Sequence, residues 1–276
     1  MNNKEKVTEG RPRQPFLRWA GSKRKLIPRL APYWNSSFER YVEPFMGSAC
    51  LFFAIDPPSA LLSDLNPELI HTFRTIRDEP ESVHDVLSHF PLGKRAYYKI
   101  REKNPKKLSP IVRAARFVYL NRFCFNGIYR TNTNGDFNVP YAPDGTGALP
   151  SLQFLKSASA RLRKTSIRCG DFETILLREA RANDFIYMDP PYAVSTRRVF
   201  REYGPKPFDF DDVERLAVLL KELNRRKAKF VASYAFTNDI NKIFSDWNVK
   251  RIVTQRNVSG FAKHRRKAVE VLITNI

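Results

Sequence analysis

The chain predicts an α/β fold, with strands and helices alternating around a largely parallel sheet, on three observations. Phe185 to Met188 is a short apolar run that ends in Asp189-Pro190-Pro191-Tyr192. It reads as a strand buried on both faces, as in a parallel sheet. Tyr41 to Glu43 reads as a strand that enters a turn at Gly47, with a helix from about Ser48. That strand–glycine turn–helix unit opens many nucleotide sites, because glycine lets a ligand approach the backbone. Ala60 to Asp64 is a second strand, ending in an acid about 20 residues after the first, where a ribose hydroxyl would be met.

Composition bounds the rest. The 276 residues suit one large domain, or one domain with a sizeable insertion, and 42% hydrophobic residues allow a substantial core. No apolar stretch approaches the roughly 18 residues of a membrane span. Met1 to Pro15 is polar and lacks an apolar signal core, so it reads as a disordered tail on a cytoplasmic protein. Cys50, Cys124 and Cys169 have no paired spacing and read as buried thiols. Four histidines, none in a ligand-like pair, predict no metal site.

The formal net charge of +20 comes from 48 Lys and Arg against 28 Asp and Glu. A fold does not need that excess; a polyanionic partner does. Leu92 to Arg130 holds eleven basic residues and one acid, Glu102, and Lys250 to Lys267 holds seven and none. A solvated basic surface would also account for this. A membrane surface fits less well, because no basic amphipathic helix with a bulky apolar face is present. Nucleic acid is the partner these clusters favour.

In chain order, Phe16-Leu17-Arg18-Trp19-Ala20-Gly21-Ser22-Lys23 comes first. Ser22 is the expected N-cap of a helix to about Tyr33, with Leu26, Ile27 and Leu30 on one face. Trp19 and Lys23 then lie around a helix N-terminus, a region suited to anions. For Asp64, helix-cap duty before Pro67 competes with a ribose contact. Asn66 has the same competing reading. Helices are expected over Pro67 to Arg77, Pro80 to His89, Arg95 to Lys103 and Ile111 to Phe123.

Residues from about Glu79 to Ser157 interrupt the strand–helix alternation. Within them, Arg122 to Tyr141 carries two strong turn signals, Asn126-Gly127 and Asn134-Gly135. The run between is short, basic and aromatic. A β-hairpin of this composition can read base edges and phosphates in a groove.

The alternation resumes with a helix over Leu152 to Leu162 and a strand over Ser166 to Cys169. Gly170-Asp171-Phe172 follows, an acid and a ring that suit an adenine amine and face. After the next strand, Pro190 and Pro191 have no N–H for a ladder, so the chain leaves the sheet at Asp189. Ligands in open α/β sheets sit at that edge. The Asp189 carboxylate, the Pro190 carbonyl and the Tyr192 ring suit a planar group bearing an exocyclic amine. Val194 to Pro207, with Arg197, Arg198 and Arg201, is expected to be a mobile loop that orders over a substrate. Phe208 to Arg226 is an amphipathic helix, and Lys229 to Tyr234 a strand. Val249 to Gln255 and Val269 to Thr274 form a closing pair, with Phe261 to Lys267 a basic hairpin tip.

These elements, in this order, resemble the Dam-type (α-class) site-specific DNA adenine-N6 methyltransferases over nearly the whole chain. Trp19 and Lys23 match the family's N-terminal cofactor motif. Glu43-Pro44-Phe45-Met46-Gly47-Ser48-Ala49 is similar to its glycine motif, Asp64 falls on its ribose acid, and Asp189-Pro190-Pro191-Tyr192 matches its catalytic motif. Tyr119-Leu120-Asn121-Arg122 through Arg130, with Gly135 to Pro140, looks like its target-recognition hairpin. The resemblance implies a Rossmann-like seven-stranded mixed sheet, S-adenosyl-L-methionine as cofactor, and methylation of N6 of an adenine flipped out of double-stranded DNA, with GATC the commonest target.

Asp189, Pro190 and Tyr192 would then be catalytic. Trp19, Lys23, Glu43, Phe45, Gly47, Asp64, Asp171, Phe172 and Asp189 would bind cofactor. Arg18, Arg122, Phe125, Asn126, Ile128, Arg130 and Asn132 would bind DNA. Residues 16–78 and 158–276 would form the catalytic domain, and the mainly helical 79–157 the target-recognition domain, after a tail over 1–15. A cognate restriction endonuclease in the same system is an admissible partner. Two departures stand out. Ala49 replaces a usual glycine and is expected to crowd the methionine end of the cofactor slightly. Ala142-Pro143-Asp144-Gly145 lacks the basic and aromatic residues common there. Cytosine-N4 methylation, or a non-catalytic DNA-binding protein on this fold, are the alternatives.

Overall fold

The sheet runs in the order β3-β2-β1-β4-β5-β7-β6. Its strands are β1 (Arg40–Glu43), β2 (Ala60–Asp64), β3 (Thr165–Cys169), β4 (Asp184–Met188), β5 (Lys229–Ala235), β6 (Asn248–Arg256) and β7 (Arg266–Thr274). The computed structural model describes residues 14–142, 148–193, 208–256 and 266–276. The N-terminal tail up to residue 13, the 194–207 loop, Pro143 to Gly145 and the hairpin tip at 261–265 lie outside the described residues. β1 to β5 pair in parallel, while β7 inserts antiparallel between β5 and β6. The sheet is therefore mixed and seven-stranded, as the resemblance implied.

Period-2 alternation decides which face each side chain serves. Tyr41, Leu62, Phe185 and Tyr187 enter one buried cluster; Val42, Leu61, Ile186 and Met188 enter the other. Each such side chain removed from water contributes about 1.5–3 kcal/mol. Register is reinforced where Arg40 and Asp184 pair across β1 and β4. The guanidinium grips both carboxylate oxygens, at 3.0 and 2.7 Å.

The helices are α1 (Ile27–Leu30), α2 (Cys50–Ile55), α3 (Pro67–Asp78), α4 (Pro80–Ser88), α5 (Lys94–Glu102), α6 (Pro110–Phe123), α7 (Leu152–Leu162), α8 (Phe172–Glu179), α9 (Phe210–Arg225) and α10 (Asn238–Ile243). Buried residues of α2 through α7 share the first cluster, whereas those of α8, α9 and α10 share the second. The helices of the 79–157 insertion thus join the same apolar cluster as one face of the sheet. Asn66 caps α3, accepting from the Glu68 and Leu69 amides. Asp209 and Asp212 form a capping box on α9.

Three expectations need correction. The helix expected from Ser22 is broken into a 3₁₀ turn, the single α-turn α1 and a second 3₁₀ turn, because Pro28 and Pro32 remove donors from its interior. Lys23, not Ser22, holds the N-cap position, with no side-chain cap bond. Cys169 is exposed rather than buried, because it is the last residue of the edge strand β3, although it shares a face with buried Thr165 and Ile167. The 124–141 hairpin has only two isolated antiparallel bridges among the described residues, Cys124 with Tyr141 and Thr131 with Phe137. Asn126-Gly127 makes a 3₁₀ turn at the end of α6, with both residues at positive φ, and Asn134-Gly135 alone closes the hairpin. Helix α10, not expected from the sequence, begins at a Thr237 cap that was legible.

Candidate active site at the switch point of the sheet

Strand order reverses between β1 and β4, so the crevice beyond their carboxyl ends is the topological switch point where α/β folds bind ligands. Asp189 stands there. The Lys23 ammonium lies 2.6 Å from its Oδ1, and the Ser233 hydroxyl, from neighbouring β5, donates to the same oxygen at 3.1 Å. Ser233 is also 3.1 Å from the Tyr187 hydroxyl. Among the described residues no hydrogen bond reaches Oδ2, which is the oxygen left for a ligand. Burial lifts the Asp189 pKa above the ordinary carboxylate range, opposed by the Lys23 charge and bond, with the Glu270 charge adding to the rise. For Lys23, burial works to lower the pKa, but Asp189, then Tyr192 and Glu270, outweigh it and keep the ammonium charged.

Tyr192 completes the group. Its ring lies 5.2 Å from the Lys23 ammonium and packs edge-to-face on Tyr234 at 5.2 Å. Its hydroxyl is 3.4 Å from Glu270 Oε1. The Ala193 amide donates to the Tyr234 hydroxyl at 2.7 Å, pinning the chain after the two prolines to β5.

The glycine turn after β1 borders this crevice. Gly47 has φ +45°, and a Cβ there would fall 2.7 Å from Trp19 Cδ1. Glycine is required twice over, for the backbone angle and for the contact. Ala49 also sits in the left-handed region, at φ 54°, a strain of about 1–2 kcal/mol for a residue with a Cβ. The turn thus keeps a glycine-like shape despite the substitution. Asp64 closes the turn from β2: Oδ2 accepts from the Gly47 amide at 3.0 Å and Oδ1 from the Asn66 amide at 2.9 Å. A carboxylate has about four acceptor sites, so both oxygens can still take a hydroxyl. Burial raises the Asp64 pKa to about 6, against its three backbone amide bonds. Glu43 is buried, accepts from the Tyr41 hydroxyl at 2.9 Å, and is pushed well above the carboxylate range, first by burial.

A third group lies at the end of β3. Asp171 caps α8, and Phe172 packs on Phe45 at 5.1 Å and Phe208 at 6.1 Å. Arg215 of α9 reaches Asp171 at 2.8 Å.

Helix α6 and the residues after it meet the site through Arg18 and Trp19. Asn121 of α6 clamps the Arg18 backbone, accepting from its N–H at 2.9 Å and donating to its C=O at 2.7 Å. The Arg18 side chain donates to the Arg122 carbonyl, and Gly127 touches Arg18 so closely that a Cβ would lie 2.6 Å from Arg18 Cβ. Trp19 stacks on Tyr129 at 6.0 Å, and Tyr129 on Phe117 at 5.5 Å. Phe125 is 45% exposed beside exposed Asn126. Ile128, Arg130 and Asn132 are partly buried. The Arg130 guanidinium donates to Asn138 Oδ1, and Asn132 Oδ1 organises the turn by accepting from the Asn134 and Asp136 amides.

Sequence reasoning missed Ser233 and Arg215, and gave Asn121 and Tyr129, though within the Tyr119 to Arg130 motif, no role of their own. Ser233 left a usable trace, the one serine within the otherwise apolar and aromatic strand Phe230 to Tyr234. The other three are recognisable only by their long-range partners.

A family model described as D12 class N6 adenine-specific DNA methyltransferase matches residues 19–258. The Type II methyltransferase M1.LlaDCHI of Lactococcus lactis subsp. cremoris is 32% identical over 271 residues, covering 95% of each chain. The Type II methyltransferase M.MjaIII of Methanocaldococcus jannaschii is 31% identical, covering 95% of this chain and 99% of that one. A DNA adenine methylase of Vibrio cholerae is 30% identical, covering 93% and 94%.

Proposed function

Because the chain belongs to the D12 class N6 adenine-specific DNA methyltransferases, we propose that Asp189, the Pro190 carbonyl and Tyr192 are its catalytic centre, acting on an adenine flipped out of duplex DNA. The enzyme methylates adenine N6 in DNA, with S-adenosyl-L-methionine as donor. The observation that carries the proposal is the division of labour at Asp189. Lys23 and Ser233 hold Oδ1, leaving Oδ2 directed by its partner oxygen's bonds.

Adenine N6 is a poor nucleophile because its lone pair is delocalised into the ring. Accepting its N–H groups at Asp189 Oδ2 and the Pro190 carbonyl favours the pyramidal amine and frees that lone pair. The gain is orientation and electrostatics. A base inside a duplex cannot reach this crevice, so it must leave the stack, and the Tyr192 ring is placed to receive its face.

The residues present fit an adenosyl cofactor. Asp64 keeps acceptor capacity for ribose hydroxyls, and Asp171 with Phe172 and Phe45 offers an acid and rings for the base. When bound, S-adenosylmethionine supplies an electrophilic methyl group. Trp19 and Gly47 shape the turn beside it. Lys23 ties that turn's neighbourhood to Asp189, and Glu43, held by the Tyr41 hydroxyl, backs it.

We assign residues 79–157 to target recognition, with Arg18, Arg122, Phe125, Asn126, Ile128, Arg130 and Asn132 as DNA contacts. Support comes from the basic, aromatic hairpin and from exposed Phe125, a ring able to wedge between base steps. GATC is the sequence to test first. The names of two similar proteins as Type II methyltransferases support a cognate restriction endonuclease as partner. No helix of the described residues is long and apolar enough to cross a membrane. The DNA substrate supports a cytoplasmic location.

The experiment is to methylate DNA with purified protein and map the modified bases. N6-methyladenine at one short sequence is expected, and its absence overturns the assignment.

Two variants probe the site further. Ribose hydroxyls donate to an ionised Asp64, so cofactor affinity should be constant above its pKa and weaken as pH falls through about 6. Asp64→Ala should bind about 10- to 100-fold more weakly and lose that pH dependence, because a bond to a charged acceptor contributes about 1.5–3 kcal/mol. Calorimetric titration with S-adenosylhomocysteine reads both, and unchanged affinity in the folded variant removes Asp64 from the site.

Arg130→Ala should weaken DNA binding. A base contact would lower the ratio of specific to non-specific affinity; a phosphate contact would lower both and reduce the salt slope by about one unit. Equal binding by wild type and variant at two salt concentrations would remove Arg130 from the interface.

A further inference from the structure

Arg215 holds three carboxylates at once. Its Nη2 lies 2.8 Å from Asp171 Oδ1, its Nε 2.9 Å from Glu173 Oε2, and its Nη1 2.7 Å from Asp212 Oδ1. The guanidinium carbon also lies 4.9 Å from the centroid of the Phe172 ring. One planar fork therefore joins the start of α8 to the start of α9, and covers the ring between them. From these contacts we propose that Arg215 is the positioning residue for recognition of the cofactor's adenine amine, a role that rests on Asp171 and Phe172 being the adenine site.

The geometry of Asp171 carries the proposal. Its Oδ1 accepts from Arg215 and, as the cap of α8, from the Glu173 amide at 3.1 Å and the Thr174 amide at 3.3 Å. Among the described residues none of its hydrogen bonds falls on Oδ2. This repeats the arrangement at Asp189, where one oxygen is fully engaged and the other presented. An exocyclic amine donates, so a fixed, open carboxylate oxygen selects it over a ring carbonyl, whose lone pairs would face lone pairs.

Charge explains why an arginine is needed. Asp171, Glu173 and Asp212 converge on Arg215, and without it three carboxylates would face one another. Asp171 is then expected to turn away from its neighbours and lose its aim. Arg215 and Asp171 are 36% and 34% exposed, and ion pairs at such exposure add little to stability. At Asp171 the contribution is therefore orientation rather than folding, whereas the pair with the 8% exposed Asp212 adds stability. Lysine replaces it only in part, since a compact ammonium keeps the charge but lacks the planar fork that spans the three acceptors.

The test measures binding to the full chain by calorimetry, with S-adenosylhomocysteine and S-inosylhomocysteine, which presents a carbonyl where adenine has its amine. The wild type should prefer the adenosyl ligand by about tenfold or more, the scale of one bond to a charged acceptor. Arg215→Gln should bind the adenosyl ligand about tenfold more weakly and lose most of the preference, with Arg215→Lys intermediate. DNA affinity should barely change, while the melting temperature should fall because Asp212, 8% exposed, loses its partner. If both Arg215 variants keep wild-type affinity and preference, the proposal is overturned. Asp171→Ala separates the two layers of inference. Loss of preference in Asp171→Ala but not in the Arg215 variants overturns the role of Arg215 alone. No preference in the wild type, with unchanged affinity in Asp171→Ala, overturns the adenine site itself.

Discussion

Asp189→Ala is expected to abolish methyl transfer while leaving DNA binding largely intact. Without the carboxylate the target amine stays planar and misaligned. The lost orientation should add several kcal/mol to the barrier, or on the order of a thousandfold in rate. DNA affinity is expected to rest mainly on the basic segments 92–130 and 250–267, which the change does not touch. The structure adds a second consequence. Lys23 is only 8% exposed, and Asp189 is the carboxylate that meets its ammonium. Removing one partner of a buried pair leaves the other charge uncompensated, at about 3–5 kcal/mol. Asp189→Ala should therefore melt lower than wild type, and Lys23→Met added to it should restore stability without restoring activity. The decisive measurement is single-turnover transfer of labelled methyl to duplex DNA at saturating cofactor. A folded variant within tenfold of the wild-type rate would show that Asp189 is not the catalytic acid.

Lys23→Met alone should act through the ionisation of Asp189. In the native protein, burial already raises the Asp189 pKa, and the Lys23 charge is the largest opposing influence. Losing it must raise that pKa further. A carboxyl whose folded pKa lies above its unfolded value is penalised when ionised. Its stability contribution falls as pH rises from the unfolded pKa through the folded one. The variant's melting temperature should therefore decline over a wider, more alkaline range than the wild type's. Acceptance of the target amine requires the carboxylate, so the acid limb of the pH–rate profile should move to higher pH in step. A smaller ionised fraction at neutral pH lowers the rate there in proportion. Raising the pH should recover part of the activity in Lys23→Met and none in Asp189→Ala. A Lys23→Met profile superimposable on the wild type's would show that the 2.6 Å pair does not govern the acid.

Local chemistry made much of this protein readable before folding was considered. Two prolines after an apolar run placed Asp189 at a strand's carboxyl end, because a residue without an N–H cannot continue a ladder. Glycine at 47 marked a turn that a Cβ could not enter, and the acid after Leu61-Leu62-Ser63 marked the end of β2. These signals act over a few residues, and the chain carries them whatever it folds against. A boundary failed where prolines competed with a capping signal, as at Ser22, and a burial reading failed at the end of an edge strand, as at Cys169.

The tertiary structure decided which distant groups meet. Insertion of β7 between β5 and β6 brings Glu270 towards Tyr192, and pairing of β4 with β5 puts Ser233 against Asp189, 44 residues away. Lys23 reaches the same carboxylate from 166 residues away, and Arg215 gathers acids from two helices. Such contacts leave little local trace, because a buried polar group needs only one satisfied partner in space, wherever in the chain that partner lies. The sequence by itself determined most of the elements and the two open-edged acids. The fold determined which oxygen of each acid is held and which is presented, since only packing orients a side chain that has several staggered choices.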